Sequence, residues 1–428
     1  MASILLQLPS PPAQFVPSPS NAAPIKGEAA QDPAEPWHQY EHQLLSPVEN
    51  GIIAVPNQPS TTLVGDALTL AAELHGKTFH IPNLRETFAD WPIGINQHLE
   101  RLQCLVDKTL EDVVKNKRKL QALKRADFAL LIALWYPDAA WEEIEIATYY
   151  SLWIFIWDDE VDAGDTSVST DEKLAHAYSR QSQNFVHQVL SLNHGAGNQS
   201  IVDSALPHAN IHPNMRLFAE VGAALKAGTD LVQRRRFYNE LSYFMIQVGI
   251  EHSYRLNGII PSVDKYLEIR SGSVGCAPQI AITDFMLKVR LPEAIMESAA
   301  MKTLWKETVV ICLILNDVYS AQKEIAQGSL FNLIPVLFEN LDGDERRPDA
   351  VIAQVMELLK TSMCNFETAA VTLTKLAAEG NAQVDQDTAA FIMWCRYFIT
   401  GVLDWSLKSK RYGMDNCIQD DGSVLAVL

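Results

Sequence analysis

Asn316, Ser320, Glu324 and the adjacent Lys323 are the residues of this chain whose types and spacing most directly imply chemistry. On a helix turning about 100° per residue, the first three fall within an arc of roughly 80°, and Lys323 lies on the same side. An amide oxygen, a hydroxyl and a carboxylate then share one face, with an ammonium beside them. A few oxygen ligands that leave room for water and phosphate suit Mg²⁺. A second group is acidic throughout: Asp158, Asp159, Glu160 and Asp162, followed by Gly164 as a stop signal. These carboxylates crowd the C-terminal end of a predicted helix, where the macrodipole already places negative charge. Divalent cations would relieve that repulsion. A solvated acidic loop is the alternative reading of the same residues.

Both groups need helices to hold them. The apolar run 309–315 leads directly into Asn316, and Val309, Cys312 and Leu313 share its face one to two turns earlier. A metal site at the rim of an apolar pocket follows. The run 149–157 is likewise nearly all apolar and ends at Asp158, which shares a face with Ile154, Phe155 and Asp162. From about residue 75 onward helical periodicity dominates, and no run of alternating strands with hairpin turns stands out. The predicted helices are 96–115, 120–136, 140–162, 170–192, 213–228, 231–257, 263–271, 277–287, 293–327, 348–378 and 383–409. Ser169-Thr170-Asp171-Glu172 fits a capping box, and Pro292 suits a first helical position. Gly272, Gly275 and Pro278 predict a break after residue 271.

Residues 1–60 hold eleven of the 21 prolines. They read as a Pro-rich, disordered N-terminal arm, leaving 61–428 as one domain. The net charge of −18 argues against nucleic acid and anionic membrane surfaces as partners. Six cysteines without a C-x-x-C pair indicate reduced thiols. With no signal-like leader and no apolar run long enough to span a bilayer, a soluble, cytoplasmic protein without stable membrane insertion is expected. No Ser-His-Asp set, nucleotide loop or zinc cluster competes, and His252, in a mixed helical stretch, reads as a hydrogen-bonded structural residue.

Taken in order, Asp158-Asp159-x-x-Asp162, Asn316-Asp317-x-x-Ser320-x-x-Lys323-Glu324 and Arg411-Tyr412 resemble class I terpene synthases, with fungal sesquiterpene cyclases the nearest likeness. The resemblance covers roughly residues 75–415, and Trp405 to Tyr412 is similar to the family's W-x-x-x-S-x-R-Y ending. It implies an all-α fold, a single class I terpenoid synthase-like helical bundle around an apolar cavity, with the two metal motifs facing each other across its mouth. It further implies three Mg²⁺ ions and an isoprenoid diphosphate substrate. Carried over by position, Asp158, Asn316, Ser320 and Glu324 are metal ligands, and Asp159 and Asp162 act behind them or through water. Arg270, Lys323, Arg411 and Tyr412 bind diphosphate; for Arg270 an ordinary salt bridge is the alternative. One departure is Val274, where related enzymes often carry glycine, so neither Val274 nor Ser273 receives a catalytic role.

Ionising an allylic diphosphate requires cationic donors at the departing oxygens, exclusion of water, and aromatic faces for the migrating positive charge. Phe155 and Trp405 are the candidate pocket aromatics, with plain core as their alternative; Trp157 and Tyr319 point away from the motif faces and read as packing. The activity expected is Mg²⁺-dependent cyclisation of farnesyl diphosphate by a monomer or homodimer. Geranylgeranyl diphosphate as substrate, an elongating prenyltransferase and a helical scaffold are the alternatives. Elongating enzymes normally carry a second aspartate-rich motif where this chain has Asn316, Ser320 and Glu324.

Overall fold

The computed structural model describes residues 65–162, 166–192 and 213–428, all within one unit of the chain, Pro59–Leu428. The expected N-terminal arm, 1–60, lies outside the described residues. In chain order the first elements are α1 (Gly65–Leu74), β1 (Thr78–Ile81), α2 (Leu84–Thr87), α3 (Leu99–Val113), α4 (Lys117–Arg125), α5 (Phe128–Trp135), α6 (Trp141–Asp162) and α7 (Glu172–Val189). Then come α8 (Pro213–Gly228), α9 (Leu231–Leu256), α10 (Val263–Ser273), α11 (Cys276–Ala281), α12 (Thr283–Leu287) and α13 (Glu293–Met296). The last are α14 (Ala299–Ala326), α15 (Leu333–Glu339), α16 (Pro348–Ala378), α17 (Ala382–Lys408) and β2 (Val424–Val427). The all-α class expected from periodicity is the class observed.

Two helices form the heart of the bundle because they are apolar on every side, a pattern that only full burial satisfies. Along α14, every residue from Thr308 to Leu315 is buried, and α10, α11, α15, α16 and α17 pack around the helix. Along α6, Ile144, Ala147, Tyr150, Trp153 and Trp157 are buried against neighbours that include α5, α8 and α9. Trp157 donates its indole N–H to Ser182 Oγ at 2.8 Å, and Tyr319 is 1% exposed, so both rings pack as core. Each of the two helices ends in its polar motif.

Several predicted boundaries move for local reasons. The expected helix 120–136 is two helices, because Asp127 adopts φ 52° and caps α5 by accepting from Leu130 N at 3.1 Å. Aspartate tolerates this left-handed geometry better than most residues. The tertiary lock is Trp405, whose Nε1 donates to Ala126 O at 2.7 Å and to Asp127 O at 3.1 Å. The stretch 277–287 divides at Ile282, and 293–327 divides at Ser298, which caps α14 through Met301 N. Pro292 stands one residue before its helix, as its N-cap. The cap of α7 is Asp171, accepting from Lys173 N and Leu174 N, while Ser169 bonds with Thr166; the capping box from Ser169 does not form.

The break near residue 271 exists, but the two glycines serve different ends. A Cβ on Gly272 would stand 2.3 Å from Gln247 Cγ and 2.8 Å from Tyr243 Cε1, so glycine there permits α9 and α10 to touch. Gly275 takes φ 76° and starts α11, which is where the helix actually breaks. Two short strands also form, against the sequence reading. β1 pairs antiparallel with β2, from Thr78 opposite Val427 to Ile81 opposite Val424. Four-residue strands so far apart in sequence offer no hairpin signal, and only tertiary structure reveals them. Among the described residues no helix is long and apolar enough to cross a membrane.

Candidate functional site

The site lies where the polar ends of α6 and α14 emerge. On α6, Asp158, Asp159 and Asp162 are half-buried while Val161 between them is buried. Burial is the main cause that pushes the Asp158 carboxyl well above the usual range; Asp162 and then Asp159 push it further, and Arg270 draws it back. Two of the carboxylates have cationic partners. Arg255 of α9 binds Asp162 at 2.9 Å and also donates to Val161 O at 3.2 Å, and Arg411 stands 3.6 Å from Asp159. Lys119 pairs with Glu160 at 2.7 Å.

On α14, Asn316 and Glu324 are half-buried and Ser320 is fully buried. Arg270 of α10 donates from Nη2 to Asn316 Oδ1 at 2.7 Å and from Nε to Asp317 Oδ1 at 3.1 Å. Asp317, 0% exposed, also accepts from the Tyr266 hydroxyl and from Leu333 N at 3.0 Å. Burial raises its carboxyl above the ordinary range, and Arg270 opposes the rise. Glu251 of α9 lies 3.6 Å from Arg270 and accepts from Ser273 Oγ; burial pushes its carboxyl up to about 7.

Arg411 and Tyr412 join the two helix ends. Arg411 faces Asp159, and Asn316 Nδ2 donates to the Tyr412 hydroxyl at 2.9 Å. A chain of contacts therefore runs Asp159, Arg411, Tyr412, Asn316, Arg270. Lys323 Nζ lies 5.8 Å from the Tyr412 ring centroid, and the neighbouring Arg411 charge, helped by burial, lowers its ammonium to about 8. Beneath Arg411 is an aromatic floor: its guanidinium carbon is 5.2 Å from the Phe155 ring centroid and 6.0 Å from that of Phe128. Phe155 also packs on Trp405 at 6.1 Å, and Trp405 meets Tyr412 edge-on at 5.5 Å. Trp405 is 2% exposed and hydrogen-bonded, so it supports this floor from behind.

All the residues named from sequence at 158–162, 270, 316–324 and 411–412 thus gather in one region, with Phe155 and Trp405 under it. His252 is buried and bonds Ser169 O at 2.9 Å, away from any nucleophile role. Sequence reasoning passed over Glu251, Tyr266, Arg255 and Asn332. Asn332 carried a signal, as an Asn preceding an apolar run that reads as a helix cap. The others carried none, because their partners lie on different helices.

The donor set suits a hard divalent cation. Among the described residues no three His, Cys, Asp or Glu side chains come together as a closed metal site, so a cation here must draw on the amide and hydroxyl oxygens and on its ligand. Asp158 sits close enough to Asp162 and Asp159 for both to raise its carboxyl, so a cation placed among them would favour its ionised form. Arg411 Nε, meanwhile, is a buried donor with no hydrogen-bond partner. Clustered acids beside a buried guanidinium with an unused donor suit a metal-bound anion.

Residues 149–363 match the family model described as terpene synthase family 2, C-terminal metal binding. The chain belongs to the terpene synthase family. Among similar curated terpene synthases, sesquiterpene cyclase hepA of Aspergillus oryzae is 26% identical over 84% of this chain and 96% of its own length. Germacrene A synthase of Nostoc punctiforme is 26% identical over 76% of this chain and 94% of that one. The crystal structure of a-eudesmol synthase superposes with a TM-score of 0.63 at 17% identity, covering 74% of this chain and 97% of that chain. At this identity the superposition speaks for the fold, and the terpene synthase bundle is the fold. This terpene synthase is of class I: a carbon–oxygen lyase that cyclises a linear isoprenoid diphosphate.

Proposed function

We propose that the substrate is farnesyl diphosphate and that the product is a cyclic sesquiterpene hydrocarbon or alcohol, released with diphosphate. The observation that carries the reading is the contact chain from Asp159 through Arg411 and Tyr412 to Asn316, which brings three sequence motifs together above an aromatic floor. The name of the relative in Aspergillus oryzae, a sesquiterpene cyclase aligned over nearly its whole length, supports a fifteen-carbon substrate.

In this reading Asp158 holds cations on the α6 side, with Asp159 and Asp162 behind it, and Asn316, Ser320 and Glu324 hold one on α14. Three Mg²⁺ ions are proposed, and when bound they supply positive charge for the departing diphosphate oxygens. The remaining work falls to the chain. Arg411 offers its unpartnered Nε, Lys323 its ammonium and Tyr412 its hydroxyl as donors to the diphosphate. Arg270, already bonded to Asn316 and Asp317, couples the anion to the α14 face. Phe155, half-buried and backed by the buried Phe128, is the candidate π-face for a carbocation formed below the diphosphate. Six free cysteines support a reducing, cytoplasmic setting, and a monomer or homodimer is proposed.

The test is gas chromatography–mass spectrometry of volatiles after incubation with farnesyl or geranylgeranyl diphosphate, each with and without Mg²⁺. A metal-dependent C15 product from the first is expected. A C20 product from the second alone would move the substrate to the longer diphosphate, and silence in both would overturn the reading.

A further inference from the structure

Asn332 follows the turn after α14 and is 0% exposed. Its Oδ1 accepts from Ile334 N at 3.0 Å and caps α15. That role alone would be met by Ser, Thr or Asp. Its Nδ2 is a different matter. It donates to Asp317 O at 2.9 Å and to Glu324 Oε2 at 2.9 Å, and it lies 3.3 Å from Ser320 Oγ. One carboxamide thus reaches three positions along one face of α14. Two of them are oxygens assigned above to a cation. The next residue adds a second stitch, with Leu333 N on Asp317 Oδ2.

An amide nitrogen has two hydrogens, so the two 2.9 Å contacts take them and Ser320 Oγ sits at the longer distance as the acceptor most easily released. Glu324 is fixed through one carboxylate oxygen, and a carboxylate can bind a cation through the other. We propose that Asn332 is a positioning residue for the α14 cation: its two N–H groups tie Glu324 to the Asp317 carbonyl before the cation arrives, with Ser320 Oγ alongside at 3.3 Å. It is a neutral donor serving oxygens that would otherwise repel or rotate away. Partners of this kind typically change metal affinity by about 10–100-fold when removed. The inference rests on the metal assignment made under the proposed function.

Two variants of the full chain separate this role from capping. Asn332→Ser keeps a cap acceptor but is too short to donate to Glu324. Asn332→Asp keeps the cap and replaces the donor facing Glu324 with a carboxylate oxygen. The readout is thermal unfolding titrated with MgCl₂ at fixed inorganic diphosphate. In Asn332→Ser the half-saturating Mg²⁺ concentration is expected to rise about 10-fold or more. In Asn332→Asp the metal-free Tm is expected to fall and the gain on adding Mg²⁺ to exceed that of the unmodified chain, because the cation relieves the new repulsion. Wild-type half-saturation in the first and a wild-type Mg²⁺ gain in the second would overturn the proposal. Should Asn332→Ser fail to fold, the Asn332→Asp comparison decides alone. An unmodified chain that Mg²⁺ and diphosphate do not stabilise would instead refute the underlying metal assignment.

Discussion

Arg270 donates to the amide oxygen of Asn316 at 2.7 Å, so a cation reaching for that oxygen finds a guanidinium already on it. The same arginine anchors the buried Asp317 and lies beside Glu251 at the helix break. Arg270 is therefore wired at once to the α14 motif, to α9 and, through Glu251 and Ser273, to the start of the α10–α11 break.

Arg270→Lys should keep the charge near Asp317 but lose the planar fork that spans Asn316 and Asp317. Expected are a kcat lower by about 10–100-fold and a stability loss of roughly 1–3 kcal/mol, the usual scale for an imperfectly satisfied buried carboxylate. Steady-state kinetics and denaturant unfolding measure the two separately. Wild-type kcat would show that the Asn316 contact is incidental.

Asn316→Ala combined with Ser320→Ala removes two of the three oxygen donors on α14 while leaving its buried run untouched. Turnover should fall by at least ~10³-fold, in keeping with several kcal/mol of transition-state charge stabilisation from a metal ion. Far-ultraviolet circular dichroism should not change. Undiminished turnover would refute the assignment.

Arg411→Lys should raise the inhibition constant of inorganic diphosphate by about tenfold, since a lysine cannot reproduce the fork over Phe155 or the free Nε donor. Inhibition kinetics at fixed Mg²⁺ would reveal it. An unchanged constant would place the anion elsewhere.

Glu240 gives a pH test remote from the cation ligands. Burial raises its carboxyl from 4.5 to about 7, with Arg236 opposing the shift. The folded chain therefore holds this proton more tightly than the unfolded chain between those values, and stability falls as pH rises through the window. Glu240→Gln should match the unmodified chain near pH 4.5 and exceed it above pH 7, by roughly 1–3 kcal/mol. Thermal unfolding at the two pH values decides it; equal Tm values at high pH would mean that the ionised carboxylate costs nothing.

Much of this protein is determined locally. The apolar runs before Asp158 and Asn316 specify buried helices by themselves, and a four-residue spacing places Asn316, Ser320 and Glu324 on one face, because helical geometry needs nothing beyond the chain's own backbone. The order of the three motifs likewise marks the family. Other features rest on contacts between distant segments, and no local pattern encodes them. Asp127 breaks the predicted helix 120–136 where Trp405, 278 residues away, donates its indole N–H to the freed carbonyls. β1 and β2 exist only because the two ends of the described chain meet. Glu251, Tyr266 and Asn332 enter the site from α9, α10 and the cap of α15, each bonding a polar side chain of another element. Burial makes such partners obligatory, but which residue answers the demand depends on how the helices pack.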